Sequence, residues 1–206
     1  VLAGELEQLE QRIQLRITTD LLNTIYLASE SIEVRRRAVE SVSYACTPGV
    51  TDALEMAYHD PDETMRISAV VGMGRTCDTR WQDILLDELG SDSHAMRYQA
   101  AWACGELALR LAVPALAQRL QDSDRQVQYA AIWALGQIGG ERARQLLVAA
   151  YEDADGDTET ALDEALAEHA LSEGNLDFLL YEVDGDDADP DDDEFVDLWI
   201  ANGNSD

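Results

Sequence analysis

The sequence contains no lysine, only two phenylalanines and only three cysteines among its 206 residues. Cys46, Cys77 and Cys104 lie far apart and form no CxxC pair. This argues against a disulfide framework or a zinc site, so we expect reduced thiols and a cytoplasmic protein.

No apolar run approaches the roughly 18 residues that span a membrane, and no apolar leader follows Val1. We therefore expect neither a membrane anchor nor a secretion signal.

The charge is strongly negative and unevenly distributed. The formal net charge is −28, and from residue 145 onward there are 21 Asp and Glu residues and no Arg. Such a field repels phosphate backbones, so it disfavours nucleic-acid binding and favours a basic protein partner. The same composition is also typical of a salt-adapted or high-GC host, and this second explanation stays open.

The most informative feature is an internal repeat of 31 residues. "MRISAVVGMG" begins at Met65, "MRYQAAWACG" at Met96 and "VQYAAIWALG" at Val127, and weaker copies begin at Val34 and Thr158. A fixed period of this length is typical of solenoids, in which each unit packs only on its neighbours. The sequence therefore predicts five units in one register.

Each unit is predicted to contain two short helices, A and B, because its apolar residues recur at i, i+4 along one face. Asp or Ser in the turn between them can cap helix B. Since one such pair cannot bury its own apolar faces, stacked units are predicted to form an all-α solenoid. The predicted core includes Leu54, Leu85, Leu116 and Leu147 of the A helices and Ala38, Ala69, Ala100 and Ala131 of the B helices.

We divide the chain into three segments. Residues 1–18 are predicted to form an N-terminal capping helix, residues 19–174 the solenoid of about five repeats, and residues 175–206 an acidic tail. The capping helix has one apolar face, formed by Leu2, Leu6, Leu9 and Ile13. The tail is too acidic to fold alone, but Phe195, Leu198 and Trp199 form an apolar cluster typical of a docking peptide. The alternative is a solvated tail with a chance apolar end.

The unit "VPALAQRLQDSDRQVQYAAIWALGQIGGERA", which begins at Val113, resembles a HEAT-like repeat of the phycobilisome-lyase type. It has the apolar helix A, the Asp-containing turn, the "VR..AA.ALG..G" helix B and the Gly-rich exit of that family. The similarity is strongest from Thr51 to Ala150. It implies a solenoid with the B helices on the concave side, but little about activity, because such repeats serve lyases, adaptors and scaffolds alike.

Two further columns of the repeat have structural interpretations. Arg35, Arg66 and Arg97 share one position, and the resemblance implies that each pairs with a turn Asp of a neighbouring unit. The bolder interpretation is an anion site. The second column contains Gly74, Gly105 and Gly136, which we interpret as close contacts between helices.

The segment "YEDADGDTETALDE" places Asp153, Asp155 and Asp157 at alternate positions, as in a calcium loop. However, Thr158 stands where an EF-hand requires Gly, and the repeat register assigns the residues after it to helix B. We therefore predict a capping turn and no metal site. His169 falls in a core column, and no phosphate loop or nucleophile elbow is present, so we expect neither catalytic residues nor a cofactor.

Aromatic side chains recur on the side of helix B that lies opposite the core, at about 100° per residue. They form two i, i+4 pairs one unit apart, and an exposed patch of this kind on the concave side predicts a binding surface. The alternative is that the rings only fill gaps between B helices. The predicted partner-binding residues are Tyr98, Trp102, Tyr129, Trp133, Ile67, Val71 and Arg36.

We predict a non-catalytic scaffold or adaptor that binds a protein partner or its own tail on this surface. Docking of the tail onto a second molecule would produce self-association. The alternative, implied by the resemblance, is a lyase or chaperone-like factor that handles a tetrapyrrole (bilin) stacked on the aromatic rows. Its propionates would need Arg36 and Arg75. The sequence shows no clear general acid or base, so the enzyme ranks second.

Overall fold

The computed structural model describes residues 2–26, 31–45, 47–76 and 78–172, and over these ranges every regular element is a helix. The α-helices are α1 (Leu2–Tyr26), α2 (Ile32–Val42), α3 (Pro48–Tyr58), α4 (Glu63–Arg75), α5 (Gln82–Glu88), α6 (His94–Glu106), α7 (Val113–Arg119), α8 (Arg125–Ile138), α9 (Glu141–Ala150) and α10 (Gly156–Ser172). Short 3-10 helices lie at Thr79–Trp81, Arg110–Ala112 and Tyr151–Asp153. The predicted all-α class is confirmed.

The predicted 31-residue register is also confirmed. The B helices are α2, α4, α6, α8 and α10, and they begin at Ile32, Glu63, His94, Arg125 and Gly156, each 31 residues after the one before. The odd-numbered helices are the A helices. The chain is therefore an α-solenoid of five helix pairs within the described ranges.

Side-chain caps fix the starts of the B helices. Asp62 Oδ1 accepts a hydrogen bond from the Thr64 amide at 2.8 Å, and Asp124 Oδ1 accepts one from the Gln126 amide at 2.9 Å. Ser31 and Ser93 cap α2 and α6 in the same way. A cap of this kind satisfies amides that have no partner within the helix, so the turn sequence sets each helix start.

The predicted core columns are buried. Leu54, Leu85, Leu116 and Leu147 are fully buried, and Ala38, Ala69, Ala100 and Ala131 are at most 3% exposed. These residues belong to one core that runs along the stack.

The B helices contact one another more extensively than the A helices do. A column of glycines permits this close approach. A Cβ at Gly74 would lie 2.8 Å from Ala103 Cα, and one at Gly136 would lie 2.8 Å from the Ala165 carbonyl oxygen. These positions are therefore close helix contacts, as predicted. Because the more closely spaced layer lies on the inside of a curved stack, the B helices form the concave side.

Helix α1 differs from the predicted capping helix. It continues without a break through the expected boundary after residue 18 and ends at Tyr26, so cap and first helix A are one element. Ile13, expected on the face that covers the stack, is 51% exposed. Among the described side chains of α1, those of Leu22 and Ile25 pack against the core instead, while the side chains of Leu2, Leu6 and Leu9 lie outside the described residues. Leu22 and Ile25 lie on a different side of the helix from Ile13, since 100° separates successive residues.

No helix in the described ranges combines the length and apolarity that a membrane span requires. The acidic tail with Phe195, Leu198 and Trp199 lies outside the described residues.

Candidate functional site

The strongest candidate site is a groove of about 630 Å³ between α6, α8 and α10 on the concave side. Its lining includes all four predicted aromatic residues, Tyr98, Trp102, Tyr129 and Trp133. Its remaining polar lining consists of Gln126, Gln137, Glu164 and Glu168. The groove is therefore aromatic at its floor and acidic on the wall that α10 supplies.

The aromatic rings form a connected surface across two units. The Tyr98 ring meets the Trp102 ring edge to face, with centroids 6.3 Å apart and an interplanar angle of 63°. The Trp102 and Trp133 rings stack with centroids 3.7 Å apart at 34°. All three side chains are half-buried. The rings thus fill the gap between the B helices and also line the groove, and the binding surface stays a prediction.

Gly105 provides the space in which the Trp133 ring lies. A Cβ at Gly105 would overlap Trp133 Cζ3 and would come within 3.0 Å of Ala134 Cα. The missing side chain at Gly105 therefore lets α6 approach α8 closely and leaves room for the Trp133 indole.

The floor of the groove contains one buried indole donor. The Trp102 indole Nε1 is buried and has no hydrogen-bond partner among the described residues. An unsatisfied buried donor costs about 1–3 kcal/mol of stability. The ring is therefore held by packing against its aromatic neighbours and not by a hydrogen bond.

Two carboxylates form the acidic wall. Glu164 and Glu168 are exposed, lie one helical turn apart on α10, and have no hydrogen bond or ion pair within the described part of the chain. No described Arg or His lines the groove. The groove thus has an uncompensated negative charge beside apolar rings.

The structure separates the other predicted partner-binding residues from this groove. Ile67 and Val71 are half-buried on α4, two units before α8. Arg36 Nη1 pairs with Glu33 at 2.6 Å, Nη2 pairs with Glu40 at 3.3 Å, and Nε donates to Ser68 Oγ at 3.0 Å. The Arg36 guanidinium is therefore occupied within α2 and α4 and is not part of the groove.

The Arg column forms the ladder that the resemblance implied at Arg35 and Arg97, but not at Arg66. Arg97 Nε and Nη2 donate to the two oxygens of Asp122 in the next unit at 2.8 and 2.7 Å. These bonds from Arg97 hold the pKa of the Asp122 carboxyl below its usual range, although burial opposes them. Arg35 pairs with Asp60 at 3.4 Å, and Arg66 donates to backbone carbonyls of its own turn. The column is therefore structural and not an anion site.

The segment that resembles a calcium loop is a helix cap. Asp155 Oδ1 accepts hydrogen bonds from the Thr158 amide at 3.1 Å and from Thr158 Oγ1 at 2.7 Å, and α10 begins at Gly156. These hydrogen bonds from Thr158, followed by one from Arg125, lower the pKa of Asp155. The prediction of a capping turn is confirmed. Within the described ranges, no group of three or more His, Cys, Asp or Glu side chains could hold a metal ion.

Calcium at millimolar concentration is expected to leave the melting temperature unchanged, because Asp155 is already bound to the first turn of α10. Thermal unfolding with calcium, and with magnesium as the control for ionic screening, measures this. Asp155→Ala is expected to lower the melting temperature equally with and without calcium, since it removes the cap. A saturable submillimolar shift that Asp155→Ala abolishes would show a true calcium site.

Two buried groups of possible chemical interest are structural. His169 is 4% exposed and its Nε2 lies 3.1 Å from the Gly140 carbonyl oxygen, in agreement with its predicted core position. Cys104 is a buried free thiol whose pKa is raised by burial to about 12, which makes it unreactive. Cys46 and Cys77 lie outside the described residues.

Comparison with known proteins agrees with this geometry. The family model for HEAT repeats matches residues 82–167. The complex of CpcE and CpcF of phycocyanin lyase from Nostoc sp. PCC7120 is similar, with 20% identity and a TM-score of 0.61 over 81% of this chain and 70% of that chain. A designed armadillo repeat protein in complex with the peptide (KR)4 has 20% identity and a TM-score of 0.53 over 79% and 86%. No curated protein sequence matches the chain.

The fold therefore defines the chain as an α-solenoid of the class that contains HEAT and armadillo repeats. The match to the family model for HEAT repeats, at residues 82–167, spans α5 to α9 and most of α10. At 20% identity, the likeness to the phycocyanin lyase is a likeness of fold.

Proposed function

We propose that this protein is a non-catalytic scaffold or adaptor that binds a partner protein in the groove between α6, α8 and α10. The observation that carries the proposal is the stacked pair of Trp102 and Trp133, half-buried in a groove beside unpaired carboxylates. Trp and Tyr are enriched among the few residues that contribute most of the binding energy of a protein interface. Solenoids present such surfaces along their concave side.

The charge of the groove supports a basic partner. Glu164 and Glu168 have no cation beside them in the groove lining, and the whole chain has a net charge of −28. Both features repel nucleic acid and attract Lys and Arg of a protein. Among proteins of similar fold, the designed armadillo repeat protein binds a basic peptide, and CpcE binds CpcF.

The alternative function, tetrapyrrole handling, is supported by the aromatic floor and by the fold of the Nostoc lyase. The charges oppose it, because propionates would face Glu164 and Glu168. The cations that the sequence suggested lie elsewhere, since Arg36 pairs with Glu33 and Glu40 and Arg75 donates to the Glu40 carbonyl. The described lining also contains no His or Cys that could act as a catalytic base or nucleophile. We therefore rank a bilin lyase second to a cytoplasmic scaffold.

The test is affinity capture from the native host with the wild type, Trp133→Ala and Tyr44→Ala. Tyr44 is the matched control because it is 67% exposed and lies outside the groove. Trp133→Ala is expected to capture at least about tenfold less of a partner protein than the wild type, in line with a hot spot of 2 kcal/mol or more. Tyr44→Ala is expected to capture as much as the wild type. Melting curves verify that the variants fold.

Two outcomes would contradict the scaffold. Equal capture by Trp133→Ala and the wild type would place the binding surface elsewhere. A saturable change of bilin absorbance that Trp133→Ala abolishes, without any captured protein, would favour the tetrapyrrole function.

A further inference from the structure

We infer that the groove between α6, α8 and α10 is a receptor for an arginine side chain of the partner, stacked on the aromatic floor and paired with Glu164 and Glu168. This inference rests on the proposed function and names the chemistry that the groove recognises.

The first step is the charge of the groove. Glu164 and Glu168 lie one turn apart on α10, both exposed, without an ion pair in the part of the chain that the structure describes. Beside the apolar floor, a bound cation is less screened than in open water, so two carboxylates attract it strongly. A neutral apolar occupant would leave both carboxylates partly desolvated and unpaired. The groove therefore selects a positively charged group.

The second step is the shape of that group. The floor is made of the indole rings of Trp102 and Trp133, with the Tyr98 ring at the edge of the former. A guanidinium is planar and weakly hydrated, stacks on aromatic faces, and donates paired hydrogen bonds to carboxylates. A lysine ammonium is a compact, strongly hydrated charge without a planar face to stack on the rings or a rigid fork of donors to match a carboxylate. The combination of rings and two carboxylates therefore fits Arg better than Lys.

The third step is a contact of the same kind within the chain. Arg125 Cζ lies 5.6 Å from the centroid of the Tyr129 ring, and Arg125 Nε donates to the Tyr129 hydroxyl at 2.8 Å. The same guanidinium pairs with Asp155. Ring, guanidinium and carboxylate are thus already assembled at the border of the groove. Inside the groove, Trp133 and the two glutamates repeat the ring and the carboxylates but lack the guanidinium, which the partner would supply.

The acidic tail is the other occupant that the sequence suggested. Residues 184–194 contain eight Asp and Glu residues and no Arg. Docking the anchors Phe195, Leu198 and Trp199 in the groove would bring this adjoining acidic segment close to Glu164 and Glu168, which like-charge repulsion opposes. The acidic tail instead attracts a basic segment of the partner and so raises its local concentration near the groove. We therefore assign the groove to a partner's arginine and not to the chain's own tail.

The test is a titration of the full chain, followed by tryptophan fluorescence, with two blocked octapeptides of alternating glycine and arginine or glycine and lysine. The measurements are made in about 0.15 M and about 0.5 M salt, because the higher concentration screens the attraction of the whole acidic chain. The arginine peptide is expected to bind at least about fivefold more tightly than the lysine peptide, by cation–π stacking. This preference should persist at the higher salt concentration.

The double variant Glu164→Gln, Glu168→Gln is expected to weaken binding of the arginine peptide by about tenfold or more, because it removes two charge-assisted contacts. The control removes the same charge elsewhere, with Glu55→Gln and Asp83→Asn on α3 and α5, both exposed and outside the groove. It is expected to change the affinity less than about twofold, since neither side chain lines the groove and salt screens exposed charges.

Equal affinity for the two peptides, or equal weakening by the two double variants, would show attraction by net charge only and would overturn the inference. Failure of the inference is distinguishable from failure of the scaffold. If the captured partner is lost with Trp133→Ala but retained with Glu164→Gln, Glu168→Gln, the scaffold stands and the arginine receptor does not. If both variants retain it, both proposals fall.

Discussion

Replacing Asp122 with Ala is expected to lower the free energy of unfolding by about 3–5 kcal/mol and the melting temperature by on the order of 10 °C. The Asp122 side chain is 2% exposed, and it accepts hydrogen bonds from Arg97 at 2.8 and 2.7 Å and from Arg119 at 3.2 Å. Without it, the Arg97 guanidinium, whose side chain is 10% exposed, retains only backbone carbonyls as hydrogen-bond partners among the described residues. A buried charge that loses its counter-charge is strongly destabilising, and equilibrium denaturation in urea measures the loss.

Asp60→Ala is the matched control, because Asp60 occupies the same position two units earlier. Its ion pair with Arg35 is longer, at 3.4 Å, and its side chain is 16% exposed. We expect it to cost about 1 kcal/mol or less for the ion pair. Both aspartates also accept a hydrogen bond from the amide two residues later, at 2.9 Å for Asp60 and 3.0 Å for Asp122. Equal losses for the two variants would assign the effect to these turns and not to the buried pair.

The same pair predicts a dependence on pH. The hydrogen bonds from Arg97 hold the pKa of Asp122 below its usual range. A carboxyl with a lowered folded pKa stabilises the fold above its unfolded pKa, about 3.9, and loses that contribution as the pH falls through the folded value. The stability difference between the wild type and Asp122→Asn is therefore expected to be constant from about pH 7 to pH 5 and to shrink below about pH 4. A difference that grows on acidification would contradict this assignment.

Much of the fold follows from the sequence because its repeat carries redundant information. The starts of the B helices were defined by a 31-residue period and independently by capping residues such as Asp62 and Asp124. The ends of the stack lack this redundancy. The apolar face of α1 could be recognised by its spacing, but not the neighbour against which it packs, and Ile13 is exposed while Ile25 is fully buried.

The aromatic part of the site was predictable for the same reason, since Trp102 and Trp133 occupy one position in successive units. Glu164 occupies that position in the next unit and Glu168 lies one turn further, so the register contained the acidic wall that sequence reasoning did not include in the site. The stacking of Trp133 beside Gly105 could not be predicted, because it depends on side-chain rotamers. The ion pairs of Arg36 could have been predicted from the sequence, because Glu33 and Glu40 lie three and four residues away on the same helix.

Gly136→Ala is expected to lower the free energy of unfolding by about 1–3 kcal/mol, the usual range for overpacking. The added Cβ would lie 2.8 Å from the Ala165 carbonyl oxygen and 3.0 Å from Ala165 Cα. Both atoms belong to the backbone of α10, so a change of rotamer cannot relieve the contact and α10 must move away from α8. The higher helix propensity of Ala offsets up to about 1 kcal/mol of this loss.

Gly156→Ala is the control for that propensity, because no heavy atom lies within 4 Å of its added Cβ at the start of α10. We expect it to leave stability unchanged or to raise it by up to about 1 kcal/mol. Trp133 lies on α8 and Glu164 on α10, so movement of α10 also separates the aromatic floor from the acidic wall. Gly136→Ala is therefore expected to lower both the affinity for the arginine octapeptide and the free energy of unfolding. Gly156→Ala is expected to lower neither. If Gly136→Ala destabilised the fold but bound the peptide as well as the wild type, the spacing of α8 and α10 would not control the groove.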